Sequence, residues 1–345
     1  MLAVLAFSPG VLAPPGLVLP ASNKVLRAPV PVGQMNSDSR PTEEYFDFLL
    51  GRNQKDLTVD QPSIIVGSGR VGTLLAQLGN RRGFDDLIVR RGDPIPADHP
   101  GPIYICTRND DLSAVVAQCP EEKRPDLVFL QNGMLEPFRQ RYGLYENTQA
   151  MLWLAVVRTG GKPLDGITSE CPEGLTGVTG KWSGALAARL RTGELVCLDQ
   201  NERDYRRNSL EKLIWISSFM LVGAINGGIT VGQVESKHKE LVHALIRELA
   251  SMCRYTLSVA LKTGLEERLC AYSRQVEFFP TALKEFKWRN GWFYRYTRLS
   301  TATINRNGLK IEMPDPCPLH TELLEIAQEQ GLINLGEYQD TEVRW

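Results

Sequence analysis

A chain of 345 residues is longer than one small core needs and fits two domains, and 43% hydrophobic with 23% charged residues is ordinary for a globular protein. A formal net charge of −1 gives no general attraction to nucleic acid or to a membrane surface, so neither is expected as a partner. Seven cysteines without a C-x-x-C pair read as buried free thiols, and with only four scattered histidines no metal site is expected.

The first segment, residues 1–60, reads as a leader and linker. From Met1 to Asn36 there is no acidic residue, and Pro9, Pro14, Pro15 and Pro20 interrupt an apolar run. Such a run is too broken to span a bilayer, and its composition is that of a targeting segment. A plastid transit peptide is the preferred reading; a mitochondrial presequence and a cytoplasmic tail are the alternatives. One short helix is expected at Tyr45–Leu50.

Ser63-Ile64-Ile65-Val66 reads as a buried parallel strand. It runs into Gly67-Ser68-Gly69-Arg70-Val71-Gly72 and then the amphipathic stretch Thr73–Leu78. Strand, glycine loop and helix in this order predict a dinucleotide site. Gly67 allows the tight turn, Gly69 lets the backbone approach the pyrophosphate, and Gly72 lets the helix close on the strand. The helix N-terminus supplies N–H groups to the phosphates. The next strand, Asp86–Val89, ends at Arg90 and Arg91 rather than at the carboxylate that bonds an NAD ribose. Two guanidiniums there favour a 2′-phosphate and so NADP(H); Asp93 nearby keeps NAD(H) open. Further strands are expected at Ile103–Thr107 and Leu127–Leu130. Their ends place Thr107, Arg108 and Asn132 toward the nicotinamide half of the cofactor.

Beyond residue 204 the pattern becomes helical. Asn208 and Glu211 have N-cap and N3 spacing before an apolar run to Met220. Glu235–Arg254, Glu266–Phe279 and Thr321–Glu329 also read as helices. The fold class is therefore α/β plus all-α: a Rossmann domain over 61–204 and a helical substrate or dimerisation domain over 205–345.

GSGRVG, FLQNGM, EKLIWISSFMLVGAI and YSRQVEFFPTALKEFKWRNGWF, in that order, resemble ketopantoate reductase over residues 62 to 295. The resemblance implies an NADP-dependent reductase moving hydride between NADPH and a keto or hydroxy acid. It implies Lys212 as proton donor, Glu285 as its electrostatic partner, and Ser273 and Asn132 as substrate anchors. An alkoxide formed by hydride addition needs a proton, and a lysine in the first turn of a helix and in an apolar setting releases one more easily. Two departures stand out. Ile216 and Met220 replace family asparagines that hold the hydroxy acid, and Arg108 replaces a cofactor-contacting lysine. A site without those amides should bind a small polar acid poorly, so a larger or more apolar acceptor is expected. The same departures motivate an alternative, a non-catalytic NADP-binding sensor or scaffold. A shared cleft for Lys212 and Glu285 would favour the enzyme. The basic, aromatic stretch Lys284–Tyr296 is expected to pack at a domain interface rather than bind nucleic acid. A homodimer is among the assemblies this reading allows.

Overall fold

The computed structural model describes residues 59–301, 304–306, 309–311 and 313–338. The leader with its expected targeting role, and the helix expected at Tyr45–Leu50, lie outside the described residues. Asp60, read above as the end of the linker, already belongs to the fold and is buried.

The first part alternates strands and helices: β1 (Ile64–Val66), α1 (Arg70–Arg81), β2 (Leu87–Val89), β3 (Ile103–Ile105), α2 (Leu112–Gln118), β4 (Leu127–Phe129), α3 (Glu136–Arg141), β5 (Gln149–Met151), β6 (Gly177–Thr179), α4 (Ser183–Arg191) and β7 (Leu198–Asp199). They form a seven-stranded sheet in the order β2-β1-β3-β4-β5-β6-β7. All neighbouring pairs are parallel except β5 with β6. Ile64 sits opposite both Leu87 and Ile103, and Val66 opposite both Val89 and Ile105. β1, β3 and β4 are buried at every position, which explains their unbroken apolar runs. β2 is the edge, and its Leu87 and Ile88 are exposed. The chain leaves β1 to one side for β2 and returns on the other for β3. This reversal opens a crevice beyond the carboxyl ends of β1 and β3.

A buried ionic cluster ties α4 to the opposite, amino ends of β1 and β2. Arg189 has no exposed side-chain surface and pairs with Asp60 at 3.1 Å and Asp86 at 2.9 Å. It also donates to the Ser63 hydroxyl and the Gln61 carbonyl, and its guanidinium lies 5.2 Å from the centre of the Tyr104 ring. Such a cluster holds only when every member is satisfied.

The second part is built around α5 (Glu202–Ile225). Its N-cap is Asn201, whose side chain accepts from the Asp204 amide, and not Asn208 as the local spacing suggested. Asn208 lies two turns inside the helix, where it accepts from the Trp153 indole and donates to the Leu175 carbonyl. Glu211 caps nothing: it forms a buried two-pronged pair with Arg268 at 2.6 and 2.7 Å. From Leu210 to Ala224 nearly every residue is buried, as expected for a helix apolar on all sides at the centre of a domain.

Around α5 lie α6 (Val231–Lys237), α7 (Lys239–Leu257), α8 (Leu265–Gln275), α9 (Asn290–Thr301) and α10 (Pro318–Glu329), with a β8–β9 hairpin (Ile304–Arg306, Leu309–Ile311). The single helix expected over Glu235–Arg254 is two, because Thr230 and Gln233 form a capping box that starts α6 early and His238 leaves the helical geometry. α8 stops before Phe279, because the Val231 amide bonds the Phe279 carbonyl and Pro280 bridges back to Thr230. The architecture is thus the expected Rossmann domain followed by a helical domain. Among the described residues no helix is long and apolar enough to cross a membrane.

Candidate active site

The glycine loop is shaped by what its glycines lack. Gly67 has φ +101°, a backbone that side chains rarely adopt, and its amide donates to the Val89 carbonyl at 2.9 Å. A Cβ on Gly72 would lie 1.9 Å from the Gly67 carbonyl oxygen, so only glycine lets α1 close on the loop. Gly69 differs: it is the N-cap of α1, its backbone is extended, and a Cβ there would meet nothing within 4 Å. The space over Gly69 is open at a helix N-terminus, which suits an anion. Ser68, Gly69 and Arg70 are exposed beside it, and Val71 begins the turn inward. The Arg70 guanidinium is tied to the Val156 carbonyl at 2.9 Å. Arg90 and Arg91 stand exposed just past β2, where Arg91 makes a surface ion pair with Asp111 at 3.2 Å.

From this loop an open cleft of about 540 Å³ runs past the carboxyl ends of β3 and β4, within the range usual for small-molecule sites. Arg70, Val71, Thr107, Arg108, Asn132 and Glu285 all line it, so the structure brings these six expected residues together. Asn109, Asp110, Gln131, Lys284 and Arg289 complete the charged and polar wall. The Asn109 amide donates to Glu285 Oε1 at 3.0 Å, and its side chain donates to the Asn132 carbonyl at 2.8 Å. The second oxygen of Glu285 is held by Arg289. Glu285 itself has φ +49°, a strained backbone for a non-glycine residue.

The segment that follows docks on the Rossmann domain. Trp288 inserts beside Phe138 in the core of the Rossmann domain, with ring centres 5.7 Å apart. Its indole donates to Asp110, and its carbonyl accepts from the Met134 amide at 2.8 Å. A side chain on Gly133, which has φ +109°, would collide with that carbonyl at 2.6 Å. The Asn132-Gly133 pair is therefore a docking turn as well as a cleft wall.

Lys212 is not among the residues lining this cleft. It lies in the third turn of α5, so the helix dipole argument for a first-turn lysine does not apply. Its side chain is buried in an aromatic cage. Nζ lies 4.3 Å from the centres of the Trp153 and Tyr272 rings and 4.5 Å from that of Trp215. It is 3.1 Å from the Tyr272 hydroxyl. Burial holds the Lys212 ammonium well below its ordinary pKa, and the charge of Arg289 pushes the same way. Glu285 is not within ion-pair distance; the amine sits among rings, and the carboxylate is spent on Arg289 and Asn109. Lys212 and Glu285 are thus not presented to one cleft in this structure.

Ser273 is fully buried, accepts from the Trp215 indole at 2.8 Å and donates to the Leu269 carbonyl at 2.9 Å. Its hydroxyl braces the cage wall and has no capacity left for a carboxylate. Ile216 belongs to the helical core, and Met220 packs against it. Sequence reasoning placed Asn109 among the polar residues beyond β3 but missed its tie to Glu285, and it missed Arg289 as a cleft residue and the three cage rings. The alternation of aromatic and basic residues in KEFKWRNGWF was the visible signal for the Arg289 segment.

No protein-family model matches the sequence, and no curated protein matches it. Solved structures do match. A 2-dehydropantoate 2-reductase from Methylococcus capsulatus aligns with TM-score 0.55 and 13% identity, over 81% of this chain and 99% of that one. A PanE/ApbA family ketopantoate reductase from Ralstonia eutropha aligns with TM-score 0.53 and 15% identity, over 78% and 99%. A D-mandelate dehydrogenase, solved with NADH and anilino(oxo)acetate, aligns with TM-score 0.54 and 15% identity, also over 78% and 99%. At these identities the similarity shows the fold: a Rossmann domain followed by a helical one.

Proposed function

We propose that this protein is an NADP(H)-dependent oxidoreductase that moves hydride between nicotinamide C4 and a keto or hydroxy acid. The observation that carries the reading is the open space over Gly69 at the N-terminus of α1, continuous with a cleft at the reversal of strand order. That is where an open parallel sheet binds a dinucleotide. The structural neighbours include ketopantoate reductases and a D-mandelate dehydrogenase with bound NADH, which supports a nicotinamide cofactor. The choice of NADP(H) rests on Arg90 and Arg91, which would meet a 2′-phosphate beyond β2.

The cofactor would supply the hydride. Ser68, Gly69 and Arg70 would hold its pyrophosphate, and Thr107, Arg108 and Asn132 would face its nicotinamide half. Hydride addition sends the carbonyl π pair to oxygen, and the resulting alkoxide takes a proton. Lys212 is our candidate for that exchange. Burial depresses its proton affinity, which eases release of a proton, and to reach the cleft it would have to leave the aromatic cage. A second reading, a non-catalytic dinucleotide sensor, is favoured by the caging of Lys212 and by the fully used Ser273 hydroxyl.

The test is calorimetric titration of the full chain with NADPH and NADH, followed by NADPH oxidation with a panel of 2-keto acids. The reading expects NADPH to bind at least about ten-fold more tightly than NADH, and turnover that Lys212→Ala abolishes. Binding without turnover would leave the sensor. Binding of neither dinucleotide would end both.

A further inference from the structure

We propose that Arg289 is the anchor for the acceptor's carboxylate, and that the acceptor is a 2-keto acid with an apolar substituent. This rests on the dinucleotide reading above and deepens it. Ser273 cannot perform that task, because its hydroxyl lies buried between the Trp215 indole and the Leu269 carbonyl. Ile216 and Met220 belong to the helical core and do not line the cleft, whose apolar lining is Val71, Ile105 and Leu130. Of the two cationic side chains on the cleft wall opposite the strand ends, Lys284 and Arg289, only Arg289 offers a fork.

Its chemistry fits the role. Of its three nitrogens only Nη2 makes a hydrogen bond, to Glu285. Nε is buried without a partner. A side chain 16% exposed, lining the cleft, leaves Nη1, which makes no hydrogen bond and is not shut off from the cleft as Nε is, for an incoming group. An accessible, unpaired guanidinium nitrogen on a cleft wall marks a place for an acceptor. A carboxylate matches a guanidinium fork in shape and charge, and the bond strengthens where water is excluded.

The surroundings select an anion and place it. Arg70, Arg108, Lys284 and Arg289 line the cleft, against only Asp110 and Glu285 of opposite sign. Glu285 fixes the Arg289 fork, and Asn109 fixes Glu285 through its backbone amide beyond β3. The anchor is thereby tied to the end of the strand beside which the nicotinamide would lie. A bound pyrophosphate would instead be held by the loop over Gly69, beyond β1. Thr107 lines the same cleft, but its hydroxyl is shut away from it and offers no contact.

The experiment is calorimetric titration of the NADP+-saturated full chain with pyruvate, 2-oxobutanoate, 2-oxohexanoate and phenylglyoxylate, and with their methyl esters. The oxidised cofactor prevents turnover. The proposal expects at least one keto acid to bind about ten-fold or more tightly than its ester, and 2-oxohexanoate or phenylglyoxylate to exceed pyruvate. Arg289→Gln, which removes the charge and the fork, should erase the preference for acid over ester while NADP+ affinity stays within about two-fold. Arg289→Lys should fall between, because it keeps the charge and loses the fork. Equal binding of acid and ester, an undiminished preference in Arg289→Gln, or no keto acid bound to the NADP+ complex would overturn the assignment and leave the dinucleotide reading standing. A ten-fold loss of NADP+ affinity in Arg289→Gln would make Arg289 a cofactor contact and overturn it as well. Failure of the wild type to bind NADP+ or NADPH would overturn both.

Discussion

Gly69→Ala separates the work of the glycine loop from its structure. The new methyl would meet nothing within 4 Å, and the backbone at Gly69 (φ −71°, ψ −169°) is one that alanine adopts freely. The only folding cost is a poorer N-cap, about 0.5–1 kcal/mol, or a melting shift of about 1–2 °C in a chain of this size. Gly72→Ala is the contrast: its methyl would lie 1.9 Å from a backbone oxygen that must move, costing about 1–3 kcal/mol in forced strain. In the bound state the order reverses for Gly69. A pyrophosphate must come within hydrogen-bonding reach of these amides, and the methyl stands in its path. Each charge-assisted bond lost costs about 1.5–3 kcal/mol, so NADPH affinity should fall at least about ten-fold. Thermal unfolding and calorimetric titration of the two variants would measure both effects. Wild-type NADPH affinity in a well-folded Gly69→Ala protein would refute the placement of the pyrophosphate on this loop.

Arg90→Ala with Arg91→Ala should remove the preference for NADPH over NADH and leave NADH affinity unchanged, as read by the same titrations; a retained preference would move 2′-phosphate recognition elsewhere. Arg189→Met should destabilise the fold by about 3–5 kcal/mol in urea unfolding, because it strands the Asp60 and Asp86 carboxylates in the interior. Burial pushes the His320 pKa down to about 3, and its Nε2 lies 2.9 Å from Asn290 Oδ1. Above the unfolded-state pKa of about 6.5 both states are neutral and the stability is full. As pH falls from there toward 3, only the unfolded chain takes up the proton, and stability should drop by roughly 1.4 kcal/mol per pH unit from this group. His320→Gln should flatten that part of the urea-unfolding profile.

The parts of the fold legible in the sequence are those that local chemistry decides. Ile64–Val66 and Leu127–Phe129 read as strands because burial on both faces demands unbroken β-branched and apolar runs. Gln149–Met151 and Gly177–Thr179 carry no such pattern; they are strands because β4 offers an edge to β5, and β5 in turn to β6. Asn208 and Glu211 imitate a capping box, yet Asn201 with Asp204 starts α5 nearly two turns earlier, and long-range partners claim the imitators. The site divides likewise. The phosphate-facing glycines do their work within six residues, so the sequence displayed them. Arg289 acquires its setting from Asn109, which lies far away in the chain and meets it through Glu285. The dipole argument for Lys212 failed with the helix start, whereas the desolvation argument matches its burial.

Lys212 and Arg289 are coupled, and the coupling has a direction. Three rings around Nζ favour the ammonium by about 0.5–2 kcal/mol each, but burial outweighs them and the charge of Arg289 adds to the loss. A carboxylate bound at Arg289 would neutralise that second contribution. The proton affinity of Lys212 should then rise as the acceptor arrives, which is the change that reduction of a carbonyl requires. Keto-acid binding to the NADP+ complex should therefore draw protons from solution. Titrations repeated in buffers of different ionisation enthalpy would measure the uptake, which Lys212→Met should abolish while leaving the carboxylate bound at Arg289. Uptake that survives Lys212→Met would assign the proton to another group and sever the two residues.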